Sequence, residues 1–152
     1  MTSTSNLLTD IRLEVRHKDF RPVYQVVEDK LRQPGGKGFT VDLGTCDERD
    51  NLAQAVVIRL LTPRGDLSHL GHPDFGSRLH ELVGQENTET KRNLARLYIL
   101  ESLQHERRIQ KVVAVTVKPA QGRRSAIEIS LQVVPSGDAK SLFIGPFALE
   151  LT

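Results

Sequence analysis

Residues 109–118, IQKVVAVTVK, are where the apolar spacing of this chain changes from helical to alternating. Val113, Val115 and Val117 recur at every second position, the period of a strand that buries one face. A second run, SAIEISLQVV at 125–134, turns Ile127, Ile129, Leu131 and Val133 toward a core and Glu128, Ser130 and Gln132 toward water. Between the two runs, Pro119 to Arg124 has the length and chemistry of a hairpin loop. A third run, SLFIGPFALELT at 141–152, spaces Phe147, Leu149 and Leu151 in the same way. Pro146 has no N–H to give to a ladder, so this strand is expected at an edge or starting at the proline. Such a terminal strand either offers an edge to another chain or pairs quietly inside its own domain.

Upstream of the sheet the period is helical. Asn87 or Thr88 is placed to cap a helix to about Gln104, with an apolar face from Leu94, Leu97, Tyr98, Ile99, Leu100 and Leu103. Asp47 is placed to cap an earlier helix from about Glu48 to Leu61, whose stripe is Leu52, Val56, Val57, Leu60 and Leu61. Glu48 and Asp50 suit its positive end, and Thr62-Pro63-Arg64-Gly65 stops it. HPDFGSRL at 72–79 joins the two helices. The expectation there is a loop from Thr62 to Asp74, stopped by Pro73, and then a short helix from about Phe75 to Val83. Asp74 would cap it, Phe75 and Leu79 would share its buried side, Gly76 would permit close packing, and Arg78 would pair with an acid. Gly84 would end it in a left-handed conformation.

The first part of the chain is less regular. Residues 1–9 are small and polar and are expected to fray. IRLEVRH at 11–17 alternates Ile11, Leu13 and Val15 as a half-buried strand does, while DFRPVYQVVEDKLRQ at 19–33 fits helix by spacing and strand by its β-branched valines. Gln33-Pro34-Gly35-Gly36-Lys37-Gly38 interrupts it, and FTVDL at 39–43 reads as a short strand. The glycine loop lacks the Gly-Lys-Ser/Thr of a phosphate loop, so a flexible connection is the plainer reading. The expected organisation is an N-terminal extension over 1–38 and one domain over 39–152. The fold class is α+β: a small, mostly antiparallel sheet with two or three helices on one face and an open edge.

Composition narrows the function. A net charge of +2 on 152 residues, with Arg12, Glu14, Arg16, Asp19 and Arg21 alternating in sign, describes a solvated surface. Arg123 and Arg124 with Lys118 form the nearest approach to a basic cluster, which suits a hairpin turn better than nucleic-acid binding. No window approaches the ~20 apolar residues of a membrane span, and the start lacks a secretory pattern. The single cysteine, Cys46, allows no internal disulfide.

Each candidate for chemistry has a simpler reading. His69, His72 and His80, with Asp66 and Asp74, follow no ligand spacing of known geometry. Ser77 lacks the second glycine of a nucleophile elbow. Cys46 sits at a helix entrance without a visible base, and Glu106 between Arg107 and Arg108 would be held ionised rather than raised into a general acid. The sequence therefore points to no catalytic residue, no cofactor and no metal.

Taken together, the Asn51-Leu52-x-Gln54 helix, the LLTPRGDL turn, HPDFGSRL and NLARLYILESL resemble the phage baseplate protein W and lysozyme-like wedge family. These are the sheath initiators of contractile tails and extracellular injection systems. The resemblance covers about residues 40–135. The family's Glu-Pro-Arg motif corresponds to Glu106, Arg107 and Arg108, with arginine in the proline's place. The resemblance implies a structural subunit assembled in the bacterial cytoplasm into a baseplate, in a six-fold ring. Its implied partners are the sheath protein, the wedge proteins and the inner tube or spike hub proteins. Glu106, Arg107 and Arg108 would make the wedge or intersubunit contact. Ile127, Ile129, Leu131, Phe143, Phe147, Leu149 and Leu151 would lie on the sheath-facing strands, and Pro73, Asp74, Phe75, Gly76 and Arg78 would form a structural corner. The lysozyme label of some members has no supporting constellation here, although a peptidoglycan-cleaving baseplate enzyme is the rival reading.

Overall fold

The computed structural model describes residues 9–18, 21–33, 35, 36 and 38–151. The fraying expected of residues 1–8, and Pro34 and Lys37 of the glycine loop, lie outside these.

The N-terminal part is all strand. β1 (Asp10–Ile11) leads to β2 (Leu13–Lys18), which pairs antiparallel with β3 (Arg21–Val26). β4 (Glu28–Arg32) and β5 (Phe39–Leu43) form a second hairpin, and β6 (Thr45–Cys46) returns to β1. The ambiguous 19–33 segment is thus strand wherever it is described, as β-branched Val23 and Val26 favour. Three backbone bonds weld the hairpins at one point: Arg12 N to Gly44 O at 2.7 Å, Gly44 N to Val27 O at 2.7 Å, and Val27 N to Arg12 O at 3.1 Å. Strand pairing crosses residue 38, where the extension was expected to end, and carries the N-terminal unit to Cys46. The β4–β5 ribbon stands off the body, with Phe39, Val41 and Leu43 in one row and each more than half exposed.

Helix α1 (Glu48–Leu61) has the expected bounds. Asp47 occupies the cap position, but its side chain makes no cap bond; its carbonyl instead accepts from Asp50 and Asn51. Glu48, at φ +46°, brings the chain into the helix through a left-handed residue, which carries the Asp47 carboxyl away from the first turn. Leu52, Val56, Leu60 and Leu61 are buried, and Val57 is half-buried.

Helix α2 (Glu89–Leu103) is capped by Thr88, whose hydroxyl accepts from Lys91 N at 3.3 Å. Its packed face differs from the leucine pattern: Ala95, Tyr98, Ile99, Ser102 and Leu103 are buried, while Leu97 and Leu100 are 61% and 39% exposed. Small Ala95 and Ser102 mark the side of closest approach, which a search for large apolar residues passes over.

Three strands complete the fold: β7 (Ile109–Ala120), β8 (Arg123–Pro135) and β9 (Leu142–Glu150), antiparallel in that order. A register shift between Val112 and Ala114 turns Val113 to solvent, 48% exposed, so Val112, Val115 and Val117 face the core instead of Val113, Val115 and Val117. The hairpin loop is only Gln121-Gly122, because the ladder runs on to Ala120 and Arg123 and Gly122 takes φ +72°. β9 is an edge strand that contains Pro146 rather than starting at it. Both helices pack on one face of this sheet, where Ile127, Ile129, Leu131 and Val133 meet Leu52, Val56, Tyr98 and Ile99. The architecture is mixed α and β with two α-helices and small antiparallel sheets, in keeping with the α+β class.

Candidate functional site

Between the helices the backbone folds into a fixed corner. Gly76 has φ +104°, and a Cβ there would stand 2.5 Å from Thr62 O and 2.9 Å from the Pro63 carbonyl. Ser77 bridges to Pro63: its N–H donates to Thr62 O and its carbonyl accepts from Arg64 N, both at 2.9 Å. The expected helix over 75–83 therefore does not form. It shrinks to a 3-10 turn at Leu79–Leu82, because a left-handed Gly76 and a bridged Ser77 cannot continue one. Phe75 and Leu79 consequently share no helix face, and Asp74, exposed in the loop, caps none. A second 3-10 turn spans Ser68–Leu70.

The Ser77 hydroxyl donates to Leu60 O at 2.5 Å and is buried, which removes it from solvent as well as from the nucleophile reading. Arg78 makes a two-pronged pair with Glu81 at 2.9 and 3.0 Å and lies over the Tyr98 ring, 4.5 Å from its centre. Tyr98 Oη donates to Glu81 at 3.1 Å. The Arg78 bonds hold the Glu81 carboxyl below the usual carboxylate range. Pro73 is exposed and Phe75 half-buried beside it.

Glu106 is 8% exposed. Arg108 reaches its two oxygens at 2.9 and 3.1 Å, and Arg59 on α1 stands 3.6 Å away with its guanidinium over the Phe75 ring. Burial alone would raise the Glu106 carboxyl, but the hydrogen bonds and charge of Arg108, with Arg59 behind them, hold it low. Glu106 and Arg108 thus face each other inside one chain, and Arg107 alone of the three is exposed. Nothing local marked Arg59, whose partner is distant in sequence. Arg49 and Gln54 were equally hidden. Arg49 pairs with Asp138 and donates to the carbonyls of Lys140 and Ser141 at 3.2 and 2.6 Å, fastening the β8–β9 connection to α1. Gln54 grips the first strands, accepting from Leu13 N and donating to Ile11 O, both at 2.8 Å.

The strand residues divide sharply. Ile127, Ile129, Leu131, Leu149 and Leu151 are buried under the helices, Phe147 is half-buried, and Phe143 is 72% exposed. Only Phe143 among them presents most of its side chain outward. Cys46 is buried, and burial with the nearby Asp10 pushes its thiol up, away from the reactive thiolate. Among the described residues no three His, Cys, Asp or Glu side chains converge as metal ligands would. His69 and His72 are exposed, and His80 Nδ1 lies 3.0 Å from Ser77 O. No helix there is long and apolar enough to cross a membrane.

No family model and no curated protein sequence matches the chain. Among solved structures, the 1.44 Å crystal structure of a candidate tail lysozyme from Geobacter sulfurreducens is similar, with a TM-score of 0.54 and 24% sequence identity. The match covers 68% of this chain and 90% of that one. At this identity the two share a fold.

Proposed function

We propose that the chain is a structural baseplate subunit of a contractile injection machine, which binds wedge proteins and starts the first sheath ring by accepting a strand. The observation that carries this reading is the three-stranded sheet, whose outer strands β7 and β9 have no further strand neighbour among the described residues. That sheet is braced by a corner made from the residues that carry the family resemblance. A free antiparallel margin gives many main-chain bonds at little demand on sequence, which suits a template for a repeating polymer. The likeness to a tail protein's fold supports a tail setting. On this reading the partners are the sheath protein, wedge proteins and tube or hub proteins in a six-fold ring, and Arg107 is the exposed member of the wedge contact.

The test is a particle lacking this chain: baseplates and tubes form, but electron micrographs show no sheath, and the intact gene restores it. Normal sheaths without the chain would end the proposal. Deleting residues 141–152 is the wrong test, because it removes Leu142, Ile144, Leu149 and Leu151 from the core.

One observation favours a second reading, peptidoglycan cleavage: the lysozyme name of the similar structure. Against it, Glu81, Glu106 and Asp138 are all held low by their partners, the reverse of what a general acid requires. Incubation with purified sacculi decides: a fall in turbidity abolished by one carboxylate substitution would establish the enzyme.

A further inference from the structure

Residues in an antiparallel ladder alternately turn their main-chain groups toward the partner strand and away from it. Just past β9, Leu151 N donates to Ser125 O at 2.7 Å, so Leu151, Leu149 and Phe147 bond to β8 while Ala148 and Glu150 turn outward. In β2, Leu13 N leaves the β3 ladder for Gln54, so Val15 also turns its N–H and C=O away from β3. These outward groups line one groove of about 460 Å³, with Val15 from β2, Ala148 and Glu150 from β9, and Val57 and Leu61 from α1. Arg16 and Arg123 also line it, against the single carboxylate of Glu150.

The opposite margin of the sheet is a poorer acceptor. On β7, Val117 O already accepts from Arg96 at 3.0 Å, Pro119 has no N–H, and the bulge at Val112/Ala114 breaks the line.

We infer that the groove between β2 and β9 is the strand-accepting site, and that it takes an extended terminal segment of the sheath protein bonded on both sides. The segment bonds to Val15 along one side and to Ala148 and Glu150 along the other. An aliphatic side chain covers Val57 and Leu61, and a carboxylate meets Arg16 and Arg123. The insertion joins β3-β2 and β9-β8-β7 into one sheet and makes the N-terminal strands half of the site. This rests on the strand-addition reading above and goes beyond it by choosing the edge.

The test titrates the full-length chain with the sheath protein of its own particle, comparing Ala148→Pro, Val15→Pro and Val115→Pro. Each substitution removes an N–H that its own ladder does not use; Val115 shares the outward parity of Val117 on β7. Val15 lies outside the three-stranded sheet, so Val15→Pro keeps the test valid should Ala148→Pro unfold. Loss of one buried hydrogen bond should weaken binding about tenfold in Ala148→Pro and in Val15→Pro, leaving Val115→Pro unchanged. Weakening by Val115→Pro alone would overturn the groove and keep strand addition. An effect of Ala148→Pro without one from Val15→Pro would overturn the two-sided site. Tight binding by all three variants would overturn the groove and strand addition together, and a wild-type chain that ignores the sheath protein would overturn the functional reading itself.

Discussion

The hydroxyl of Ser102, on α2, donates to the carbonyl of Gly76 at 2.8 Å, so the second helix is bonded to the turn that ends the first. Both residues are buried, and the carbonyl has no solvent to fall back on. Ser102→Ala should cost about 1 to 3 kcal/mol in urea unfolding, the penalty of a buried acceptor left without its donor. An unchanged midpoint would mean that the bond does not fasten the corner.

Gly76 and Gly84 are both left-handed, at φ +104° and +85°, but only Gly76 faces a wall. Gly84→Ala should cost about 1 kcal/mol, the conformational penalty alone. Gly76→Ala adds a clash with the Thr62 and Pro63 carbonyls and should cost at least about 3 kcal/mol. Equal midpoints for the two variants would contradict the close approach.

The Glu106 carboxyl titrates below its usual value of about 4.5 in the folded chain. A depressed acid stabilises the fold above its unfolded pKa, and that contribution drains away as pH falls through the folded one. Glu106→Gln should lower stability at pH 7 by about 2 to 4 kcal/mol, by leaving Arg59 and Arg108 facing a neutral group. It should also flatten the acid side of the stability curve below about pH 4.5. A variant that parallels the native curve would show that Glu106 is not the group responsible.

Gln54 holds Ile11 O and Leu13 N with one amide, so Gln54→Ala should release the first strands while the body stays folded. Hydrogen exchange should speed up at residues 10–18 and stay slow at Ile127 and Ile129. Uniform acceleration across the chain would instead make the N-terminal unit part of the global fold.

Ile129 and Phe143 both belong to the strands expected to serve assembly, and they predict opposite phenotypes. Ile129→Ala, at a fully buried position, should cost about 2 to 5 kcal/mol. Phe143→Ala, at 72% exposure, should change stability by no more than about 0.5 kcal/mol. A loss of sheath assembly in Phe143→Ala at full stability would then report a contact and not a folding defect.

Local chemistry made much of this fold legible. α1 has its expected bounds because acidic residues open it and Pro63 closes it, and β8 has its expected core face because Ile127 to Val133 alternate without a break. What escaped depends on distance or on a single backbone angle. The packed side of α2 follows Ala95 and Ser102, whose small size matters only once another segment lies against them. The bulge before Ala114 shifts one valine out, and no composition rule marks it. The corner reads as a helix until Gly76 takes a positive φ. The Arg59–Glu106 pair and the grips of Arg49 and Gln54 join residues that only the finished fold brings together, so the groove between β2 and β9 could not be seen before its walls were in place.

The Arg49 fastening has a mechanical consequence. A tug along β9 would load its hydrogen bonds to β8 side by side, in shear, and the same tug would reach α1 through the guanidinium at Asp138, Lys140 and Ser141. From α1 it would pass by Gln54 into the first strands. Tension applied at one margin of the sheet is therefore spread over three parts of the molecule, and peeling β9 away would mean breaking the ladder and the guanidinium clasp at once.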